Sequence, residues 1–204
     1  MAEADLIQTL DALRKRRIDA VYVENSQQAR EEVLKLVNSG DSVGIGGSMT
    51  IQELGLNEVL KEKGCQVIWH WYCEPEEMME VRKEATRARF YLSSTNAITR
   101  DGCLVNIDGI GNRVTGMVYG PETSVVIAGK NKVVSDLEEA RQRIKNKACP
   151  LNAQRLNLDT PCAVKGECVD CNQQTRMCNI MTIIEGKPML TNMTVILVGE
   201  NLGY

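Results

Sequence analysis

The stretch AVYVENSQQAREEVLKLVNSGDSVGIGGSMTIQELGLNEVLKEKGCQVIWHW (Ala20–Trp71) alternates short apolar runs with segments of helical spacing. Ala20 to Val23 reads as a strand, and Ser26 can cap a helix carrying Ala29, Val33, Leu34 and Val37 that Gly40 closes. Val43 to Gly46 is a second strand, running through GGSMT into a helix with Ile51, Leu54, Val59 and Leu60 that ends at Gly64. A third strand surrounds Ile68. Strands separated by helices are joined by right-handed crossovers, so the expected class is α/β: an open, mostly parallel sheet with helices on both faces.

Outward from this core, Leu6, Ile7, Leu10 and Leu13 lie at helical spacing, and Glu74-Pro75-Glu76 opens a helix with Met78, Met79 and Val81 expected inward as core filler. Phe90 to Leu92 is followed by a polar stretch, an Asp101-Gly102 turn and LVNID, which predict a hairpin over 97–108 inserted in the sheet. Thr123 to Ala128 reads as a strand, Ser135 or Asp136 caps a helix running to about Ala148, and Thr194 to Val198 supplies a last strand. The expected organisation is an α/β domain over 1–158, a cysteine-rich segment over 159–181, and a hairpin or strand over 182–204 returning to the domain.

The 204 residues are 43% hydrophobic and 25% charged, enough to bury a core without disulfides. A net charge of −3 gives no reason to expect nucleic acid or an anionic membrane as partner. No uncharged stretch approaches a membrane span, and the first residues do not read as a secretory signal, so a cytoplasmic protein is expected. The single histidine, His70, rules out paired-His chemistry within one chain; in the apolar run VIWHWYC it reads as a core or interface residue.

Cys162, Cys168, Cys171 and Cys178 fall within TPCAVKGECVDCNQQTRMCN, spaced C-x5-C-x2-C-x6-C. Four thiols this close, among turn formers Gly166, Asp170 and Asn172, point to metal chelation through thiolates. Structural zinc usually takes two short pairs, and only Cys168 and Cys171 form one; one pair flanked by distant cysteines suits the irregular loops that wrap a 4Fe-4S cube, with zinc the alternative. Arg141 to Lys187 holds eight basic and four acidic residues, a surround that favours an anionic cluster; Arg155, Lys165 and Arg176 are the candidates to touch it. Cys65, Cys73, Cys103 and Cys149 read as packing residues, with Cys149 a candidate substitute ligand.

GIGGSMTIQELG (Gly44–Gly55) places glycines and hydroxyls between a strand and a helix, where Gly46, Gly47, Ser48 and Thr50 can cradle a carboxylate or phosphate; simple turn chemistry explains the glycines equally well. Glu53 stands in the first helical turn as a cap residue or a base. NAITRDGCLVNIDGIGNRV (Asn96–Val114) is dense in polar groups, of which Asn96, Asp108, Asn112 and Arg113 can converge on a small ligand. Lys132, after a strand, can bring a cation to the carboxyl edge of the sheet.

Together, GIGGSMTIQELG, STNAITRDGCLVNIDGIGNRV, GKNKVVSDLEEARQRIKNKACPLNAQRLN and TPC...GECVDC...RMCN resemble the lactate-utilisation (LUD) domain family, in a stand-alone subgroup with a cysteine-rich tail. The resemblance implies a fold like the ribose-phosphate isomerase and CoA-transferase group. It also implies a role beside iron-sulfur subunits in oxidising L-lactate to pyruvate. The resulting expectation is an iron-sulfur protein of 2-hydroxy-acid metabolism that transfers electrons to or from a redox partner protein or assists lactate oxidation. Two alternatives stand: a non-redox enzyme whose open iron is a Lewis acid for a small carboxylate, and a zinc-stapled binding or regulatory module. Self-association is left open.

Overall fold

A computed structural model describes residues 3–204. Six strands form one parallel sheet: β1 (Asp19–Val23), β2 (Ser42–Ile45), β3 (Gln66–Trp69), β4 (Phe90–Ser93), β7 (Thr123–Gly129) and β10 (Asn192–Val198), in the order β1-β10-β7-β4-β2-β3. A second sheet of four strands, in the order β8-β5-β6-β9, is built from β5 (Ala97–Thr99), β6 (Leu104–Asp108), β8 (Val133–Val134) and β9 (Ile180–Ile184). The expected hairpin exists as β5 and β6, which pair antiparallel through Ala97 with Val105 and Ile98 with Leu104. It lies in this second sheet and is not an insertion in the main one. Of the hairpin or strand expected over 182–204, the strand forms: β10 returns to the main sheet, parallel between β1 and β7, while β9 pairs with β6.

Alternation along the central strands explains the layering. Val125 and Ile127 of β7, with Ile196 and Val198 of β10, join one apolar core; Val126 and Ala128, with Val195 and Leu197, join the other. A strand whose side chains are buried on both faces reads as a continuous apolar run, which is how both strands look in the sequence. The first core is filled by α2 (Ser26–Leu36), α3 (Met49–Glu53) and α4 (Leu56–Glu62), through Ala29, Val33, Ile51, Leu54, Leu56 and Leu60. The second takes Leu6, Leu10 and Leu13 of α1 (Glu3–Lys15) and one face of the small sheet, through Ile98, Leu104 and Ile184. The other face of that sheet packs Ala97, Val105 and Ile107 against Ala140, Ile144 and Cys149, with Met177 and Cys178 beside them.

Several local expectations shift by a residue or an element. Asn25, not Ser26, caps α2 by accepting from the Gln28 N–H. The helix expected after Gly47 is two, because Gly55 adopts φ 59 and resets the direction between α3 and α4. The helix expected to end near Ala148 continues: α7 (Leu137–Arg143), capped by Asp136, passes through a π-helical turn at Ile144–Ala148 into α8 (Cys149–Arg155). That bulge rotates the face of α8, carrying Cys149 inward and Asn152 and Arg155 to one side. Met79 of α5 (Met78–Ala85) is exposed rather than inward, and Met78 is half-buried. Among the described residues no helix is long and apolar enough to cross a membrane.

The topology creates the site. From β2 the chain moves outward to β3, then returns past it to β4 and on to β7, so the connections leaving β2 and β4 part at the carboxyl edge of the sheet. Open α/β sheets bind ligands in such crevices.

Close contact beneath this edge is tested at Gly44, where an added Cβ would stand 2.0 Å from the Ala85 carbonyl oxygen of α5. Backbone cannot yield as a side chain does, so Gly44→Ala is expected to cost at least about 2 kcal/mol in urea unfolding. An unchanged midpoint would contradict the packing of α5 on β2.

Candidate functional site

A cavity of about 510 Å³ opens at the carboxyl edge. The turn after β2 contributes Gly47, Ser48 and Thr50; the end of β3 contributes His70 and Trp71; the end of β4 contributes Ser94, Thr95 and Asn96. Lys132 follows β7 in a 3-10 turn, and Tyr204 follows β10. The small sheet adds Asp108, Asn112 and Arg113, the last two at the start of α6 (Asn112–Val118). Five strands of the main sheet thus place their trailing residues around one space.

Of the residues singled out from sequence, Gly47, Ser48, Thr50, Asn96, Asp108, Asn112, Arg113 and Lys132 line this cavity. Gly46 lies behind it: an added Cβ would be 2.9 Å from Tyr91 Oη and 3.0 Å from Arg113 Cγ, so only hydrogen fits there. Glu53 stands outside the wall, where its Oε2 accepts from the Gly203 N–H at 2.7 Å and so latches the C-terminal residues over α3. Ser48 caps α3 by accepting from the Ile51 N–H.

Arg113 holds the architecture of the site. Its Nη1 donates to the Ser94 carbonyl at 2.9 Å and to Asn106 Oδ1 at 2.6 Å; its Nη2 donates to Asn96 Oδ1 at 2.9 Å and to the Ile107 carbonyl at 2.7 Å. Its Nε faces Asp108 Oδ2 at 3.3 Å. A guanidinium has five N–H donors, and here each has a partner inside the protein. The residue joins β4's trailing loop to β6, with its donors engaged inside the protein while its side chain lines the cavity. Asp108 is committed as well, its Oδ1 accepting from the Ile110 and Gly111 N–H groups.

Lys132 differs. It is 3% exposed, its Nζ donates to Thr50 Oγ1 and Ser94 Oγ, both at 2.8 Å, and among the described residues it has no ion-pair partner. Burial, and then the positive charges of Arg143 and Arg113, pull its pKa down to about 7, with Glu53 opposing weakly. Two hydroxyls satisfy two of its three donors, and the third is available to a ligand.

Sequence reading missed a second group. His70 is buried, its Nδ1 lacks a partner, and burial together with Arg82 and Arg155 lowers its pKa to about 4, so its imidazole is neutral at physiological pH. Arg82 Nε is buried without an acceptor. Arg155 stacks 4.8 Å over the Trp71 ring, bonds Asn152 Oδ1 and Tyr204 Oη, and lines the cavity with Arg82 and both of those partners. These residues come from three separated elements, and the only sequence cue was a lone histidine between two tryptophans at a strand end.

The cysteine segment borders the same space. Cys149 and Met177 line the cavity, and Asn152 Nδ2 lies 2.9 Å from Met177 Sδ. All eight cysteines are free thiols. Burial raises the Cys149 pKa to about 12, and Met177 and Cys178 pack against the apolar cluster that contains it. Cys171 is tied in through its carbonyl, which accepts from Arg176 Nη1 at 2.5 Å, while Arg176 also bonds the Cys178 carbonyl. Of the basic residues expected beside the thiols, Arg176 bonds the Cys171 and Cys178 carbonyls, Lys165 is exposed, and Arg155 stacks on Trp71.

Among the described residues no three His, Cys, Asp or Glu side chains close around one point as a single ion requires. Cys168 Sγ accepts from the Asp170 N–H at 3.4 Å. Four thiols on one short segment are a donor set that suits zinc and an iron-sulfur cluster alike.

Fold and cavity define an open α/β protein that presents buried cations at the carboxyl edge of a parallel sheet. The chain belongs to the LUD domain family, whose profile matches residues 6–198, a family associated with lactate utilisation. It is similar to the crystal structure of a DUF162 family protein from Deinococcus radiodurans at 14% identity, with a TM-score of 0.58 over 98% of this chain and 99% of that one, a likeness of fold. Ribose 5-phosphate isomerase A from Methanocaldococcus jannaschii matches at 20% identity and a TM-score of 0.37 over 56% of each chain. No curated protein matches the sequence.

The burial of Lys132 carries a stability consequence with a defined sign. The folded state resists protonation of this amine, so the penalty is complete below pH 7 and is relieved as pH rises from about 7 toward the ordinary lysine value of 10.5. Lys132→Met should therefore melt above the parent at pH 6, with the gap closing by pH 9 to 10; a variant that melts lower at pH 6 would reverse this assignment.

Proposed function

We propose that the protein binds a small 2-hydroxy or 2-oxo acid at the Lys132 end of the cavity, beside an iron-sulfur cluster held by Cys162, Cys168, Cys171 and Cys178, and so serves the oxidation of 2-hydroxy acids such as lactate. One observation carries this reading: Cys149 and Met177, from the wall formed with the thiol segment, line the same cavity as Lys132, Ser48 and Thr50. When bound, the cluster supplies one-electron redox chemistry. The chain's own residues have separate tasks. Protonated Lys132 pairs with the substrate carboxylate in a dry setting where the interaction is strong. The Thr50 and Ser94 hydroxyls hold the amine in place, and Arg113 fixes the loop that carries Ser94.

Anaerobic purification tests the cofactor. The expected result is a brown protein with broad absorbance near 400 nm and about four iron and four acid-labile sulfide per chain, lost in Cys162→Ala, Cys168→Ala, Cys171→Ala and Cys178→Ala. A colourless protein with one zinc per chain contradicts it. Retention of cluster by one of the four variants favours the reading in which an iron is open to the substrate as a Lewis acid.

Calorimetric titration tests the pocket. L-lactate and pyruvate should bind more tightly at pH 6 than at pH 8, because the cationic Lys132 is lost as pH rises through about 7. Lys132→Met should weaken binding at pH 6 by at least about tenfold and flatten the pH profile. Binding that is indifferent to both pH and Lys132 would reject the carboxylate assignment.

A further inference from the structure

The cavity is larger than the proposed acid needs. Its volume of about 510 Å³ lies within the range of about 300–1,000 Å³ that holds ligands of drug size, whereas lactate has six heavy atoms. Its polar groups also sit on different walls: Lys132 is held by Thr50 and Ser94, whereas Arg155 stacks on Trp71 and bonds Asn152 and Tyr204.

We infer that Arg82, Arg155, His70 and Trp71 form a second anion-binding end of this cavity, which takes the phosphoryl group of a phosphorylated small acid. The inference rests on the proposed carboxylate pocket only for the opposite end of the ligand. Three observations support it. First, no carboxylate pairs with Arg82 or Arg155 among the described residues, and the acid lining the cavity, Asp108, is taken by Arg113. Second, polar atoms here are buried and idle: Arg82 Nε has no acceptor and His70 Nδ1 has no partner. Leaving such atoms unpaired costs stability unless a ligand uses them. Third, Arg155 is prearranged. Its Nε and Nη2 are bonded to Asn152 and Tyr204 and its plane lies on Trp71, which leaves Nη1 directed by a fixed frame.

Charge selects the ligand class. Two unpaired guanidinium groups call for an anion of nearly two charges, which a phosphate monoester carries at neutral pH with three acceptor oxygens; a carboxylate carries one. Gly47 leaves the approach open, since even an added Cβ there would only touch Trp71 Nε1 at 3.6 Å and His70 Nε2 at 3.7 Å.

The test uses the purified full chain with inorganic phosphate and L-lactate as probes, followed by calorimetry and by ³¹P NMR. Phosphate should bind one to one and keep its Kd within about twofold in saturating lactate. Arg82→Gln and Arg155→Gln should each weaken phosphate by at least tenfold while lactate affinity stays within twofold, and Lys132→Met should show the opposite pattern. Arg82→Lys, which keeps the charge, should retain most of the phosphate affinity and guards against loss of fold in the glutamine variant. Simple competition between phosphate and lactate overturns the inference. So do glutamine variants with wild-type melting and unchanged phosphate affinity, including the case where they alter iron content instead. If lactate fails to bind while phosphate binds through the two arginines, the carboxylate reading fails and the second subsite stands.

Discussion

Everything at the carboxyl edge of the sheet depends on the buried guanidinium of Arg113. Its bonds run to the Ser94 and Ile107 carbonyls, to Asn96 and Asn106, and to Asp108, so it ties the loop after β4 to the small sheet at several points. A buried charge is tolerable when it is paired and every donor is satisfied, and this one meets both conditions. By taking Asp108 for itself, Arg113 also removes the acid that could have neutralised Lys132, and its own charge then presses on that amine. The result is one fully compensated cation that builds the wall and others that remain uncompensated inside it.

That division recasts the chemistry read from the residues. Asp108 and Arg113, set among glycines, have the composition of a ligand clamp, and both do line the cavity. What composition could not show is the number of acceptors that the fold brings to one guanidinium, because those acceptors come from Ser94, Asn96, Asn106 and Ile107 on either side of a turn. Lys132 was legible for the opposite reason: a lysine directly after an apolar strand must stand near the edge of a parallel sheet, whatever surrounds it. His70 was placed in the apolar interior correctly, but its missing partner is a property of the packing and leaves no trace in VIWHW.

The fold itself was legible where periodicity was strong. Alternation over Ala20–Trp71 prescribes parallel crossovers, and β1, β2 and β3 with their helices follow it. Reading weakened where two sheets share one chain. β5 and β6 are short and their residues suit any sheet, so nothing local says that they leave the main sheet and recruit β8 and β9 from distant positions. The π-helical turn before Cys149 is equally silent in sequence, yet it decides that Cys149 faces the thiol segment and that Arg155 faces Trp71. Family membership over residues 6–198 agrees with the architecture and includes the cysteine segment within its span. Of that segment, Met177 lines the cavity.

The amine of Lys132, buried in this cavity without an acidic partner among the described residues, is observed directly by heteronuclear NMR of ¹⁵N-lysine-labelled protein. The Lys132 Nζ resonance, assigned by its absence in Lys132→Met, should titrate near pH 7 in ligand-free protein and move to a higher midpoint when pyruvate is added. A midpoint near the ordinary lysine value of 10.5 that ignores pyruvate would contradict an uncompensated Lys132.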